Sequence, residues 1–203
     1  MSQGNAELVS RHLDALAIAA REAASAAPVV DEWAQRLAAV FAAGGKLLAC
    51  GNGGSAAEAQ HLTGELLGRF REERRPLPAI ALTADSSAVT AIVNDYGAAE
   101  LFARQVEAHA RPGDVVVLMS TSGRSPNIVA AGERARALGI TTWGFTGPVP
   151  NPLAAACDEV LAIDAATTAT IQELHLVALH VMCAALDEAL EDFASTVSTG
   201  ESV

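Results

Sequence analysis

Aromatic residues are scarce, at 4% of this 203-residue chain, although 51% of its residues are hydrophobic. Its core must therefore be built from Ala, Val, Leu and Ile. Such side chains bury modest apolar area per residue, which favours an oligomer that shares a core across its interface. Basic charge is also short. Thirteen Lys and Arg face 24 Asp and Glu, for a net charge of −11. That deficit argues against the broad electropositive footprint of a nucleic-acid partner. It leaves a small anion open, because a few backbone N–H groups can cradle a phosphate inside an acidic protein. Cysteine is rare and unpatterned: Cys50, Cys157 and Cys183 have no CxxC spacing, and their odd count favours reduced, buried thiols in a cytoplasmic protein. The N-terminal SQGNAELVSRHLD lacks a signal-peptide pattern, and no apolar run reaches the roughly 20 residues of a membrane span, so no membrane partner is expected.

Two nucleotide signatures are missing as well. GNGGS (51–55) is followed by Ala56 where a GxGxxG loop needs its last glycine, which weakens a dinucleotide reading. No Gly-Lys-Ser/Thr follows any glycine loop, which excludes an ATP-type P-loop. The chain also lacks the G-x-S-x-G elbow of a nucleophilic serine.

What is present reads as a single domain over 1–203, with helices across 5–43 and a disordered tail from about 194. Apolar spacing of three and four predicts helices over 5–26 and about 30–43, parted near Pro28. KLLAC (46–50), PAIAL (78–82), DVVVLM (114–119), TTWGF (141–145) and EVLAI (159–163) read as strands. Helices are expected from Ser55 to about Leu67, over 88–93 and 99–110 on either side of NDYG (94–97), after Ser125-Pro126 as far as Gly139, and from about Ala169 to Leu190. A short helix is expected between the last two strands. Strand, loop and helix recur, so the expected fold is α/β, a three-layer sandwich with a mostly parallel five-stranded sheet and an N-terminal helical hairpin. Ligands in such sheets bind beyond the carboxyl ends of strands, where GNGGS and STSGRS (120–125) both lie.

STSGRS offers four hydroxyls, Ser120, Thr121, Ser122 and Ser125, at the end of a buried strand and beside a helix N-terminus. Hydroxyls with backbone N–H groups make a neutral cup for a phosphomonoester, with no lysine required. Taken by itself, the same run also reads as a hydroxyl-rich turn with helix caps. His61 and Glu65 are four residues apart and share a helix face. Gln172 and His180, in IQELHLVALH, are eight apart on roughly one face of the last helix, with His175 a possible neighbour. Together His61, Glu65, Gln172 and His180 suit a mixed nitrogen and oxygen metal site. Singly, each more often reads as a satisfied core or groove residue on an apolar helix.

These stretches resemble the sugar isomerase (SIS) domain family, and within it the phosphoheptose isomerases. The resemblance is carried by GNGGSAAEAQH with Glu65 and GRF (68–70), RPLPAIAL (75–82), NDYG, RPGDVVVLMSTSGRS, TGPVP and IQELHLVALH, in order over about 5–190. It implies a flavodoxin-like SIS fold and an aldose–ketose isomerase that converts sedoheptulose 7-phosphate to D-glycero-D-manno-heptose 7-phosphate through an enediolate. It also implies a phosphate site at Ser120, Thr121, Ser122 and Ser125, with Ser55 and Gly54 beside it. Asn52, Gly53, Asn94 and Asp95 would line the sugar end, and Gln172 would serve substrate and metal alike. Zinc is implied at His61, Glu65, Gln172 and His180, with Glu65 and His180 as the acid–base pair. A cytoplasmic homotetramer with active sites shared between subunits is implied too. A non-catalytic branch of the same fold binds a replication initiator, and typically lacks the carboxylate and carries Asn for the last histidine; here Glu65 and His180 are both present. Other sugar phosphates are the further alternative. Arg124 and Ala169 depart from the pattern, and Arg69 has two readings, as a charge near the site or as a brace for the helix end.

Overall fold

The structure is a computed structural model that describes residues 3–199, with side chains over 4–191. Strands β1 (Leu47–Gly51), β2 (Ala79–Ala81), β3 (Val115–Ser120), β4 (Thr141–Thr146) and β5 (Glu159–Ala162) form one sheet. All neighbours are parallel, in the order β2-β1-β3-β4-β5. The pleat sends alternate residues to opposite faces. Leu47, Ala49, Val115, Val117, Trp143 and Phe145 enter one core; Leu48, Cys50, Val116 and Leu118 enter the other. Both faces are covered, which is why these strands read as continuous apolar runs.

On the first face lie α2 (Ala27–Ala42), α3 (Gly54–Leu67) and α8 (Thr168–Thr199), with α1 (Gln3–Ala23) against α8. On the second lie α5 (Leu101–His109), α6 (Pro126–Ala137) and α7 (Pro152–Ala156), with α4 (Ser86–Tyr96) at the margin. The expected three-layer sandwich, parallel five-stranded sheet and N-terminal hairpin are all present. Three of the few aromatics, Trp33, Trp143 and Phe145, meet at one seam. Trp33 of α2 stacks on Trp143 of β4 with centroids 4.8 Å apart and planes at 2°. Trp33 Nε1 also donates to Glu159 Oε2 at 3.0 Å, tying the hairpin to β5. The three thiols are free and buried, as expected.

Several boundaries differ from the sequence reading, each for a local reason. Helix α2 begins at Ala27, not near 30, because Pro28 sits in its first turn, where a missing N–H costs nothing. Asn94, Asp95 and Tyr96 do not lie between two helices; they form the last turn of α4, which Gly97 ends at φ 86°. Helix α8 runs past Leu190 to Thr199, so the tail expected to fray from about 194 lies partly on its backbone, and 200–203 lie outside the described residues. By length and composition, α8 over Thr168–Glu191 is apolar enough to cross a membrane, which the run-counting expectation did not register. Gln172, Glu173, His175, His180 and Asp187 break the run while leaving the average apolar. In the fold this is a core helix packed on α2, with Leu174, Leu179, Met182 and Leu186 buried.

The strand order places a topological switch between β1 and β3, whose connections leave toward opposite faces. Crevices for ligands open at the carboxyl ends of such strands. The loops there are GNGGS after β1 and STSGRS after β3.

Candidate active site

The loop after β1 turns sharply because Gly53 adopts φ 56°, a left-handed conformation that side chains rarely tolerate. Gly54 then lies against α8: a Cβ there would fall 2.5 Å from Gln172 Nε2. The loop after β3 turns at Gly123, φ 60°, and its carbonyl accepts from Leu153 N at 2.9 Å. Between the two loops lies a pocket of about 280 Å³ lined by Asn52, Gly53, Gly54, Ser55, Ser120, Thr121, Ser122, Ser125 and Gln172, together with Met119 and Thr168. That is near the small end of ligand pockets, roughly 300–1,000 Å³. No lining residue is charged, so the cup is free of carboxylates in a strongly acidic protein.

Ser125 holds the N-cap position of α6, but its side chain makes no cap bond. The expected capping role is corrected here. Its hydroxyl instead lies 3.1 Å from Ser120 Oγ, on the cup side. Asn127 went unread in the sequence, yet it braces the cup. Its amide and that of Asn52 exchange two hydrogen bonds of 2.9 Å across the mouth. Asn151 also went unread. Its Nδ2 donates to Thr146 Oγ1 and Pro148 O, each at 3.0 Å, and its Oδ1 accepts from Ala154 N at 2.9 Å. Asn127 has no spacing signal, because its partner Asn52 lies 75 residues away, whereas Asn151 carries one, an N-cap Asn directly before Pro152 at the start of α7. Glu58, one turn past Ser55, is buried. Burial pushes its carboxyl up to about 7, against a hydrogen bond with Ser55 that lowers it.

Farther along α3 and α8, the structure brings His61, Glu65 and His180 together with ligand atoms all within 4.8 Å of one another. His61 Nε2 is 2.9 Å from His180 Nε2 and 3.3 Å from Glu65 Oε1. At that distance one ring donates to the other. Two imidazoles and a carboxylate are also a suitable donor set for a metal ion, and this cluster can hold one. Nitrogens on a tetrahedral zinc stand about 3.3 Å apart, so only a small opening of the pair separates the two states. Phe70 tilts over His180 at 5.8 Å and fills one side of its ring.

The other sequence candidates fall elsewhere. Gln172 belongs to the cup, with its amide over Gly54. Asn94 and Asp95 are exposed, and Asn94 Nδ2 donates to Asp95 Oδ1 at 2.8 Å. They are not among the cup's lining residues; Asp95 borders a separate hollow with Tyr96 and Arg104. His175 is a core residue. Burial pulls its imidazole down to about 4, and its Nε2 meets Thr146 O at 3.1 Å. Arg69 is exposed, and its Nη1 donates to Arg71 O at 3.1 Å within the segment that follows α3. Arg124 is exposed at the rim.

A sequence profile of the SIS domain matches residues 13–147. The phosphoheptose isomerase of Streptomyces coelicolor is 57% identical over 180 residues, covering 89% of this chain and 78% of that protein. The chain belongs to the phosphoheptose isomerase family of SIS-domain proteins. The family's solved structures superpose closely on it. That of Neisseria gonorrhoeae is 39% identical with a TM-score of 0.84, covering 90% of this chain and 98% of that one. That of Francisella tularensis is 35% identical with a TM-score of 0.86, covering 93% and 100%.

Proposed function

We propose that this protein interconverts sedoheptulose 7-phosphate and D-glycero-D-manno-heptose 7-phosphate, ketose to aldose, through a cis-enediolate. The observation that carries this reading is the pairing of an uncharged hydroxyl cup with the His61, Glu65 and His180 cluster along the same helix. From Ser55 to His61 and Glu65 the helical rise is about 9–15 Å at about 1.5 Å per residue. That span suits an extended seven-carbon chain with phosphate at its far end better than a three-carbon one.

Ser120, Thr121, Ser122, Ser125 and Ser55 receive the phosphate, and Gly54 lets the backbone approach it. Asn52, Gly53 and Gln172 orient the hydroxyls that follow. Fixing the phosphate converts binding into placement of C1 and C2 against the cluster. Glu65 moves the proton between C1 and C2, and His180 exchanges protons with the oxygens on those carbons. The cluster of His61, Glu65 and His180 is assigned to zinc, one ion per subunit, with Gln172, which reaches it only by leaving its place over Gly54, as a neutral fourth donor. When bound, zinc supplies electrostatic stabilisation to the developing enediolate oxygens. Glu65 serves as base in the time it is not held to the ion.

A homotetramer with shared sites completes the reading, in the cytoplasm, where buried free thiols stay reduced. Helix α4 has no buried residue in the single chain, and Val93 and Tyr96 are 39% and 55% exposed. Along α1, Leu8 and Leu13 are similarly open. Asn94 and Asp95, at the end of α4, are assigned to a neighbouring subunit's sugar end. Light scattering should give four times the chain mass, and a monomer would overturn the shared site.

The direct test is incubation of purified protein with sedoheptulose 7-phosphate, following aldose formation. Turnover is expected, a chelator should slow it on the order of tenfold or more, and added zinc should restore it. Absence of turnover with zinc present would overturn the assignment.

A further inference from the structure

Helices α3 and α8 carry the two halves of the cluster, and the His61–His180 hydrogen bond that joins them is lost when a metal ion takes those nitrogens. Something else must hold them. Beyond the C-terminus of α3, the extended chain brings Arg74 back beneath that helix. Its Nη2 donates to Glu65 O at 2.8 Å and its Nη1 to Leu66 O at 3.0 Å. The last carbonyls of a helix lack intrahelical partners, and here a guanidinium from the following segment satisfies them. The remaining edge of Arg74 reaches α8, where Nε donates to Asp187 Oδ1 at 2.8 Å. Both side chains are only 12% exposed. Asp187 Oδ2 is buried with no hydrogen-bond partner, so this carboxylate depends on Arg74.

The position of the pair gives it a role. Asp187 lies seven residues beyond His180, two helical turns along the same face of α8. Cys183 lies between them, and Glu65, Asp187 and Arg74 are all near enough to influence its thiol. Arg74 therefore grips the backbone of the catalytic carboxylate's own residue and, through Asp187, the helix that presents His180. The arrangement rests on a planar fork with several donors, which a lysine cannot reproduce.

The geometry points to Arg74 and Asp187 as a positioning pair that sets Glu65 against His180, a role that rests on the isomerase reading above. Arg74 touches neither substrate nor cup. Its loss shifts one helix against the other and so acts on the chemical step, since misplacement of about 1 Å can cost about 100-fold in rate. Phosphate binding, which depends on loops at the other end of α3, is spared.

Removing one partner alone strands a buried charge, so the informative variant replaces both with apolar residues, Arg74→Met with Asp187→Leu. The expected result is a folded protein with a melting temperature near wild type and unchanged affinity for inorganic phosphate by calorimetry. With sedoheptulose 7-phosphate, kcat should fall about tenfold or more with KM little changed. Co²⁺ affinity, read from its visible absorption, should fall with it. A folded double variant that keeps both kcat and Co²⁺ affinity overturns the proposal. If the double variant does not fold, Arg74→Lys keeps the charge pair but not the carbonyl grip; a reduced kcat with unchanged phosphate affinity supports the role, and an unchanged kcat overturns it. If wild-type protein is inert toward the heptose phosphate, the functional reading fails alone, and the Co²⁺ comparison still judges the clamp.

Discussion

Glu65→Gln leaves the protein folded and lowers kcat by about 10³-fold, within the range that a general base contributes. The amide has the shape of the carboxylate and occupies the same part-exposed place on α3, so the melting temperature stays near wild type. It can accept no proton from C1 or C2, and it removes the one anionic donor from the cluster of His61, Glu65 and His180. The cup begins ten residues earlier on the same helix, so KM and the affinity for inorganic phosphate change little. Steady-state kinetics beside a thermal melt check this. A variant with near wild-type kcat would remove Glu65 from the role of base, and one that fails to fold would make it a structural residue.

The second large effect is expected at the other end of the substrate. Gly123→Ala places a Cβ 2.1 Å from Asn151 Oδ1, at a residue whose φ is 60°. Asn151 cannot swing aside cheaply, because its amide makes three hydrogen bonds, to Thr146, Pro148 and Ala154. Each is worth about 1 kcal/mol net, and more if a buried group is left unpaired. The loop carrying Ser120, Thr121, Ser122 and Ser125 must therefore yield, and the cup with it. The expected outcome is a rise in KM of about 100-fold, some 2.7 kcal/mol of lost phosphate binding, with a smaller change in kcat at saturation. Calorimetry with inorganic phosphate should show the same loss. Unchanged phosphate affinity would mean that Asn151 does not govern the cup.

These two variants divide the site along lines that were unequally legible in the sequence. The cup could be read directly, because its hydroxyls are contiguous in STSGRS and its glycine turn in GNGGS, each at the end of an apolar strand run. His61 with Glu65 could be read too, since four residues on a helix define one face. The meeting of His61 with His180, 119 residues away, needed the packing of α3 against α8. Asn94 and Asp95 illustrate the opposite case. NDYG looks like a loop at a site, but its first three residues continue α4 and stay exposed in the chain.

Composition and periodicity alone determined the α/β class, the parallel sheet covered on both faces, the two strand-end loops and the acidic character that rules out a broad basic surface. Those properties are local or additive, so they survive being read one residue at a time. Only the tertiary structure decided the strand order that puts β1 beside β3, and with it the joining of two distant loops into one cup. It also decided that Gln172 lies over Gly54, that His175 is a core residue while His180 belongs to the cluster, and that Arg74 bridges the end of α3 to Asp187. Such contacts depend on how whole helices seat on a twisted sheet, a balance of packing summed over many residues that no short stretch of chain encodes.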